Sequence, residues 1–355
     1  MFKIPKIENS KYYIDRIMND MQHFANKQRD EIQQRFEKSI GTKKKDPKQV
    51  NLDKRKDLEL EKIRFINNQT SKHIKKLNKT FPDFRKVNDI YIKLINTSET
   101  PVKKIQDALA RLLWISNTID ELTQNSEFKI KKARTSETVG FIMKKYLGRI
   151  NSYYTKNKEF YQTLNDARKY MNQLPDFKDL YTISIAGFPN VGKSTLMKKI
   201  TKSNVEIQNY PFTTKGLMFG YLKKNNESII QFIDTPGLLG RNKNNAIEER
   251  AQIIVTQYCS EIIFVIDFTQ SCGFEIDSQI KLLKKTQNQT DKPIIIYLSK
   301  TDIYNEETKE LKKEYENKLK KYKIFNESEK LKDFVMDNYM KSISKFDPRK
   351  INLIK

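Results

Sequence analysis

Apolar residues in the first half of the chain recur every three or four positions, which is the spacing of one face of an α-helix. One such stripe spans residues 74–94, as a single helix or as two helices that meet near Pro82. Two more stripes span residues 105–119 and 154–171. Because stripes of this kind usually face a core, residues 1–180 are expected to form an all-α helical bundle.

The second half of the chain contains short runs of β-branched and aromatic residues, which predict strands. The runs are residues 182–186, 229–233, 262–266 and 293–298. Segments with helical spacing separate most of them, at residues 194–202, 246–258, 274–286 and 305–321. Strands that alternate with helices predict a mainly parallel α/β sheet with helices on both faces. We therefore expect a helical domain over residues 1–180, an α/β domain over 181–345 and a basic tail over 346–355.

The charge of the chain is strongly positive and unevenly distributed. The sequence has 68 Lys+Arg and 44 Asp+Glu residues, a formal net charge of +24. Residues 1–180 contribute 39 − 23 = +16 and the remaining residues 29 − 21 = +8. An excess of this size indicates an anionic partner such as RNA. The candidate RNA contacts are clustered basic residues of the first half, Lys43, Lys44, Lys45, Lys54, Arg55 and Lys56. The pairs Lys75-Lys76, Lys131-Lys132 and Lys144-Lys145 are further basic clusters of the same half.

Other classes of protein are excluded by what the sequence lacks. Two cysteines, Cys259 and Cys272, are too few for a disulfide scaffold or a cysteine-built zinc site. The two histidines, His23 and His73, are expected to be ordinary surface or core residues rather than metal ligands. No apolar run approaches the roughly 20 residues of a membrane span, and the first residues lack the apolar core of a signal peptide. We therefore expect a soluble protein of a reducing compartment, the cytoplasm, without membrane contact.

Residues 187–194 match the phosphate-binding pattern G-x-x-x-x-G-K-S/T, between a predicted strand and a predicted helix. In this context the glycines let backbone amides surround phosphates, and the start of the helix adds positive potential. Lys193 is expected to reach the β- and γ-phosphates, and the Ser194 hydroxyl to bind Mg²⁺. The predicted phosphate-site residues are Gly187, Phe188, Pro189, Asn190, Val191, Gly192, Lys193, Ser194 and Thr195.

Two further segments fit the phosphate end of a nucleotide site. Asp234 and Gly237 form the pattern D-x-x-G at the end of a predicted strand, 40 residues after Ser194. Asp234 is expected to hold Mg²⁺ through water, and the Gly237 amide to contact the γ-phosphate. Between the two motifs, the Thr214 hydroxyl is expected to reach Mg²⁺ when the γ-phosphate is present, with Thr213 as the alternative. The residues expected to act in catalysis are Lys193, Thr214 and Gly237.

The base of the nucleotide is predicted from residues 299–302. The sequence Ser299-Lys300-Thr301-Asp302 follows a predicted strand and occupies the place of the guanine-binding pattern N-K-x-D. A carboxylate at Asp302 can accept hydrogen bonds from the guanine N1–H and exocyclic amine, a pair of donors that adenine lacks. GTP and GDP are therefore the expected ligands. Ser299 replaces the usual asparagine, so the amide that ties the base loop to the phosphate loop is missing.

These motifs resemble those of a known family. The tracts GFPNVGKS (187–194), YPFTTKG (210–216) and DTPGLL (234–239) resemble the Obg branch of translation-related GTPases. Ile247-Glu248 and DFTQSCGF (267–274) resemble its nucleolar GTP-binding (Nog) subfamily. The resemblance covers most of the chain and is most specific over residues 181–302. It implies a P-loop GTPase that acts in assembly of the large ribosomal subunit, with the subunit precursor, its rRNA and ribosomal or assembly proteins as partners. Eukaryotic members have a long carboxyl extension, so the short archaeal-type form is expected.

The resemblance also bears on hydrolysis. Leu238 stands where Ras-like proteins have a catalytic glutamine, so intrinsic hydrolysis of GTP is expected to be slow. In related GTPases an asparagine at the position of Asn190 can help to hold K⁺. Arg241 could reach the phosphates, although a solvent-exposed arginine is the expected state.

The leading hypothesis is a GTP-operated assembly factor, monomeric in isolation, whose two switch segments are ordered by GTP and released by hydrolysis. Its basic helical domain would bind rRNA. The alternative is a GTP-gated protein scaffold without direct RNA binding, in which the basic surface only aids solubility. A metabolic nucleotide enzyme is disfavoured, because the sequence offers no histidine, cysteine or paired-carboxylate site for a second substrate.

Overall fold

The computed structural model describes residues 2–40, 46–202, 205–208, 217–224, 227–234, 250 and 253–346. It divides into two compact units. The helical unit comprises residues 2–87 and 99–172, and the sheet unit comprises residues 88–98 and the described residues from 173 onward. The sequence predicts a boundary at residue 180, whereas residues 173–180 and the inserted segment 88–98 group with the sheet unit.

Among the described residues, six α-helices precede the first strand. They are α1 (Ser10–Ile40), α2 (Pro47–Thr80), α3 (Asp89–Asn96), α4 (Val102–Lys132), α5 (Ser136–Lys156) and α6 (Lys158–Asn172). The predicted all-α character of this region is confirmed. The stripe over residues 74–94 is divided between α2 and α3, on either side of Pro82, so the two-helix alternative is correct.

Polar caps determine where the long helices begin. Asp46 accepts a hydrogen bond from the Lys48 amide at 3.0 Å, and Pro47 occupies the first position of α2. Thr135 accepts a hydrogen bond from the Thr138 amide at 3.3 Å at the start of α5. Each bond satisfies an amide that the first turn of a helix leaves without an intrahelical acceptor.

Tyr146 of α5 joins three helices in the core of the helical unit. Its hydroxyl donates to the Ile63 carbonyl oxygen of α2 at 3.2 Å and lies 2.9 Å from Thr123 Oγ1 of α4. Burial raises the pKa of Tyr146 to about 12, so the phenol stays protonated. The hydroxyl therefore fixes α5 against α2 and α4 while the ring fills the core.

His73 of α2 stacks on Tyr13 of α1, with ring centroids 3.8 Å apart. Its Nε2 is buried and has no hydrogen-bond partner among the described residues. Burial, together with the positive charges of Arg16 and Lys76, lowers the pKa of His73 to about 4. The imidazole is therefore neutral near pH 7 and serves as a flat core side chain.

The sheet unit is built on one seven-stranded sheet. Its strands are β1 (Tyr181–Ala186), β2 (Val205–Gln208), β3 (Leu217–Lys224), β4 (Glu227–Asp234), β5 (Glu261–Ile266), β6 (Ile294–Leu298) and β7 (Lys323–Phe325). Their order across the sheet is β2-β3-β4-β1-β5-β6-β7. The pairs β4–β1, β1–β5, β5–β6 and β6–β7 are parallel, and β2–β3 and β3–β4 are antiparallel. The predicted mainly parallel sheet is confirmed, and β1, β4, β5 and β6 are the four strands that the sequence predicts.

Helices pack against this sheet. They are α7 (Lys193–Thr201), α8 (Ile276–Asn288), α9 (Glu306–Leu319) and α10 (Ser328–Phe346). The first three lie within a few residues of predicted helices. Of the predicted helix 246–258 the structure describes only residue 250 and the end, which includes a π-helical turn at Ile254–Tyr258. The basic tail lies outside the described residues after Phe346. No helix in the described part of the chain is long and apolar enough to cross a membrane.

The inserted helix α3 is fixed to the rest of the sheet unit by hydrogen bonds of two side chains, Tyr91 and Arg250. The Tyr91 hydroxyl donates to the Pro175 carbonyl oxygen at 3.1 Å and accepts from the Phe177 amide at 3.0 Å. At the other end, the buried Arg250 guanidinium donates to Thr97 Oγ1 at 2.8 Å and to the Thr97 carbonyl oxygen at 2.9 Å. A cation at the carboxyl end of a helix is favourable. These contacts explain why segment 88–98 belongs to the sheet unit despite its place in the sequence.

His73 generates a prediction about pH. Because the pKa of His73 is lowered to about 4 in the folded protein, the unfolded chain takes up this proton first as the pH falls. The contribution of neutral His73 is therefore fully present above about pH 6.5 and is lost as the pH falls toward 4, by up to about 3 kcal/mol. We expect His73→Phe to remove this part of the pH dependence. Urea unfolding, followed by circular dichroism at several pH values, measures it.

The matched control is His23→Phe, because His23 lies on the exposed face of α1. It should retain the pH dependence of the wild type. Identical pH profiles of the free energy of unfolding for the wild type and His73→Phe would contradict the prediction.

Candidate nucleotide-binding site

The loop between β1 and α7 has a backbone that requires glycine at two positions. Gly187 has φ 141°, and a β carbon added there would lie 2.7 Å from the Val265 carbonyl oxygen of β5. Gly192 has φ 102° and caps the start of α7. An L side chain at Gly187 would collide with the backbone of β5, and both φ values disfavour one. The loop therefore lies close against β5 and leads directly into the first turn of α7.

Lys193 is the first residue of α7 and is buried. Its ammonium group donates to the Phe188 carbonyl oxygen at 2.7 Å, so the side chain folds back across the loop. Burial lowers the pKa of Lys193, and the nearby Asp234 carboxylate opposes this shift. The positive charge lies inside the loop, where the phosphate pattern predicts it.

Ser194 and Asp234 are in direct contact. The Ser194 hydroxyl donates to Asp234 Oδ2 at 2.6 Å. Asp234 ends β4 with no exposed surface, and its Oδ1 has no hydrogen-bond partner among the described residues. Burial raises the pKa of Asp234, while Lys193 and the Ser194 bond lower it. A hydroxyl beside a buried carboxylate with one unsatisfied oxygen fits a hard cation such as Mg²⁺.

The base loop follows β6 and lies beside the phosphate loop. The Ser299 amide and hydroxyl both donate to the Ile266 carbonyl oxygen, at 3.0 and 3.2 Å. A β carbon added to Gly192 would lie 3.5 Å from Ser299 Cβ, which places the two loops in contact. Asp302 lies in the short turn Thr301–Ile303 and is exposed, so its carboxylate is accessible.

The structure thus brings the predicted phosphate loop, Asp234 and the base loop together at the carboxyl ends of parallel strands, where open α/β sheets bind ligands. Asn190 has φ 61° and an exposed side chain at the tip of the phosphate loop. The predicted switch residues Thr213, Thr214, Gly237, Leu238 and Arg241 lie outside the described residues, and their roles stay predictions.

Sequence reasoning missed the part of the site that follows β5. Asp267, directly after the strand, is buried and accepts a hydrogen bond from Lys300 Nζ at 2.8 Å. Gln279 of α8 holds the backbone of Asp267 from the other side. One signal was available. An aspartate that follows a buried parallel strand stands at the edge where ligands bind.

Two of the residues predicted to contact RNA form hydrogen bonds within the helical unit. Lys54 Nζ donates to Gln33 Oε1 of α1 at 2.7 Å. Lys56 Nζ donates to the Lys131 carbonyl oxygen in the last turn of α4 at 3.1 Å. Arg55 is exposed. The residues Lys43, Lys44 and Lys45 lie outside the described residues.

A different basic surface lies on the second half of α2. It consists of four lysines that are exposed and lie on successive turns: Lys72, Lys75, Lys76 and Lys79. None of them forms an ion pair with a described residue. On α4 and α5, the exposed rings of Phe128 and Phe141 lie under the ammonium groups of Lys132 and Lys145, at 4.2 and 4.8 Å. The helical unit therefore presents unpaired cations and cation-capped aromatic rings.

Two family models match the chain. The model described as 50S ribosome-binding GTPase matches residues 182–300. The model described as NOG1 N-terminal helical domain matches residues 24–178. Together they cover most of the helical region and the first part of the sheet region, in the order in which the sequence contains them.

Similar proteins agree with these models. An uncharacterized protein of Methanocaldococcus jannaschii is 35% identical over 252 residues, which make up 70% of this chain and 70% of that protein. Nucleolar GTP-binding protein 1 of Encephalitozoon cuniculi is 28% identical over 260 residues, 72% of this chain and 48% of that protein. Nucleolar GTP-binding protein 1 of Drosophila melanogaster is 28% identical over 256 residues, 69% of this chain and 38% of that protein.

The matched region thus spans less than half of the length of these two nucleolar proteins. Among solved structures, the G domain of the T. maritima FeoB iron transporter is similar, with 22% identity, coverage of 45% of this chain and 98% of that chain, and a TM-score of 0.36. The two family models and the archaeal relative, taken with the phosphate loop and its buried aspartate, show that this chain belongs to the family of Nog-type P-loop GTPases.

Proposed function

We propose that this GTPase is a switch in the assembly of the large ribosomal subunit and that it binds rRNA through its helical unit. The observation that supports the GTP-operated switch is the contact between the phosphate loop, the buried Asp234 and a base loop that ends in the exposed Asp302. The description of the matched family, 50S ribosome-binding GTPase, and the nucleolar relatives support a ribosomal role. The ribosomal partner and the RNA contact are inferences for this chain.

Different described residues would bind the phosphates, the Mg²⁺ ion and the base of GTP. The amides at the start of α7 and the Lys193 ammonium would bind the phosphates. The Ser194 hydroxyl and the Asp234 carboxylate would hold Mg²⁺, with the predicted Thr214 as a further ligand. When bound, Mg²⁺ neutralises charge on the β- and γ-phosphate oxygens. Asp302 would select guanine by accepting hydrogen bonds from the base.

Guanine selectivity gives the direct test of this site. Asp302→Asn should weaken GDP binding by about tenfold or more, because a hydrogen bond to a charged acceptor is lost. It should strengthen binding of xanthosine diphosphate, whose C2 oxygen can accept from an amide. Isothermal titration with GDP, XDP and ADP measures the three affinities. Asp291→Asn, at an exposed aspartate before β6, is the matched control. Equal affinity of the wild type for GDP and ADP would refute the guanine site.

Hydrolysis is proposed to be slow and dependent on potassium. Because residue 238 is leucine rather than glutamine, the unassisted rate of GTP hydrolysis should be low. It should lie nearer to about 3–5 × 10⁻⁴ s⁻¹ than to the rate of an assisted Ras-like enzyme, about 5–20 s⁻¹. Asn190 would help to hold K⁺, so turnover should be faster in KCl than in NaCl. Asn190→Gly removes the amide and suits the φ of 61°, and it should make the two rates equal. Release of phosphate in both salts measures this. The same wild-type rate in both would exclude a role for potassium.

The RNA contact is proposed for the lysine surface of α2. Lys72, Lys75, Lys76 and Lys79 are exposed and have no acidic partner among the described residues, so their charges remain available to phosphates. Lys54 and Lys56 are already bound within the helical unit. Exposed lysines without acidic partners in the described part of the chain favour a polyanion such as RNA over a purely protein partner.

Charge reversal tests this surface in the full chain. The triple variant Lys72→Glu, Lys75→Glu and Lys79→Glu should weaken binding of structured rRNA fragments. It should also reduce the slope of log K against log salt by about 2–3, since each phosphate contact on duplex contributes about 0.9. Affinity for GDP should not change. Filter binding or fluorescence anisotropy between 50 and 200 mM salt covers the range in which such contacts weaken by orders of magnitude.

The control carries the same charge change on the other unit. Lys281, Lys284 and Lys285 are exposed on α8, and their triple change to Glu alters net charge equally. An equal loss of RNA affinity in both triple variants would show that net charge, and not the lysine surface of α2, determines RNA binding. No salt-dependent RNA binding by the wild type would leave the protein-scaffold alternative as the better account.

A further inference from the structure

The carboxylate of Asp267 is the most fully hydrogen-bonded acidic group among the described residues. It has no exposed surface and accepts five hydrogen bonds. Oδ1 accepts from the amide and the hydroxyl of Thr269, and Oδ2 accepts from the Ser271 hydroxyl, the Cys272 amide and Lys300 Nζ. Burial raises the pKa of Asp267, but the hydrogen bonds from Lys300 and Thr269 outweigh it and hold this pKa below its usual range. The group is therefore a fixed anion.

The ammonium group of Lys300 is held by this anion and by the Ser271 hydroxyl. Its Nζ lies 2.8 Å from Asp267 Oδ2 and 2.8 Å from Ser271 Oγ. Its backbone has φ 53°, a left-handed conformation that is unusual for lysine. The Lys300 carbonyl oxygen accepts from the Ile303 amide at 3.2 Å and so closes the turn that carries Asp302. Fixing Lys300 thus fixes the start of the turn that presents Asp302.

The segment 267–275 extends this support to the phosphate loop. The Gln279 side chain accepts from the Asp267 amide at 2.9 Å and donates to the carbonyl oxygens of Asp267 and Phe274, both at 3.0 Å. The Phe274 ring packs against Phe188 of the phosphate loop, with centroids 4.3 Å apart and the ring planes tilted by 31°. One ordered segment therefore contacts the base loop at one end and the phosphate loop at the other.

Ser299 makes this support necessary. An asparagine at this position can reach the phosphate loop with its amide, but the shorter Ser299 hydroxyl donates to Ile266 of β5 instead. We propose that Asp267 is a positioning residue for guanine recognition, which acts through Lys300 to hold the Asp302 turn in register with the phosphate loop. The proposal rests on the proposed binding of guanine by Asp302.

A merely structural ion pair would behave differently. Loss of general support after β5 would weaken the binding of every nucleotide to the same extent. Loss of positioning would instead act on the groups that Asp302 contacts. Inosine diphosphate lacks the exocyclic amine of guanine, so the ratio of the Kd values for IDP and GDP reports whether Asp302 is in place.

The experiment uses the full chain and four variants. Asp267→Asn is nearly isosteric, Lys300→Met removes the ammonium group, and Ser271→Ala removes the second acceptor while Asp267 stays. We expect Asp267→Asn to weaken GDP binding about tenfold, as for loss of a charged hydrogen bond, and to reduce the IDP-to-GDP ratio toward one. Ser271→Ala should produce a smaller change in the same direction. Asp277→Asn, an exposed aspartate of α8, should change neither quantity.

The double variant Asp267→Asn, Lys300→Met tests whether Asp267 acts through Lys300. If Asp267 acts through Lys300, the double variant should have the same ratio as each single variant, because the second change removes nothing further. Equal weakening of GDP and IDP by Asp267→Asn, with the ratio unchanged, would overturn the proposal. If circular dichroism shows that Asp267→Asn does not fold, Ser271→Ala and Lys300→Met provide the test. An unchanged IDP-to-GDP ratio in both of these variants would overturn the proposal.

Failure of the proposed function has a separate signature. A wild-type chain that does not prefer GDP to IDP and ADP would remove the guanine site itself, and this inference with it. A wild-type chain with that preference, together with an unaltered ratio in the variants, would refute only the role of Asp267.

Discussion

The sheet unit is organised around a carboxylate that has no contact with water. Asp234 is fully buried at the end of β4, and burying an ionised carboxylate is costly unless donors or cations surround it. The Ser194 hydroxyl and the Lys193 charge provide part of that stabilisation, and both come from the first turn of α7. This turn is placed by a loop that fits against β5 only because Gly187 has no side chain. Strand, loop and helix are therefore all positioned so that Oδ1 of Asp234 remains for a ligand.

Asp234 and Asp267 lie at the same edge of the sheet but differ in their hydrogen bonding. Asp234 ends β4 and Asp267 follows β5 at the carboxyl edge of the sheet, and both are shielded from solvent. Asp267 has all of its hydrogen-bonding capacity used by the protein, so it can only hold its neighbours in place. Asp234 has one oxygen without a donor among the described residues, so it can bind a ligand. The count of hydrogen bonds separates the binding group from the positioning group, although their sequence contexts are similar.

The sequence predicted the parts of the fold that local pattern determines. The phosphate loop, its flanking strand and helix, and the buried strands β4, β5 and β6 follow from glycine spacing and from runs of β-branched residues. The strands β2 and β7 are only four and three residues long, and β3 contains Gly220, so their patterns are weak. The grouping of α3 with the sheet unit depends on contacts of Tyr91 and Arg250 with residues far away in the sequence, which no local pattern encodes.

The candidate site was predictable to a similar extent. Motif spacing identifies Lys193, Ser194, Asp234 and Asp302, because their chemistry requires those residue types at those positions. It does not identify Asp267, since a positioning role depends on which side chains meet in space. The same limit applies to the basic residues. Lys54 and Lys56 have the same charge as Lys75, but in the structure they donate hydrogen bonds to other residues of the helical unit, a difference that the sequence alone does not show.

Helix α2 shows how one charged surface affects both faces of a helix. Burial is the main cause of the low pKa of His73, and the positive charges of Arg16 on α1 and of Lys76 on the exposed face of α2 lower it further. The lysine surface therefore disfavours a further cation beneath it and favours an anion above it. A polyanion bound to those lysines would offset the charge of Lys76 and raise the pKa of His73 slightly, whereas the larger effect of burial would remain. Because linkage is reciprocal, protonation of His73 would in turn favour the polyanion-bound state, which connects the core of the helical unit to its proposed RNA surface.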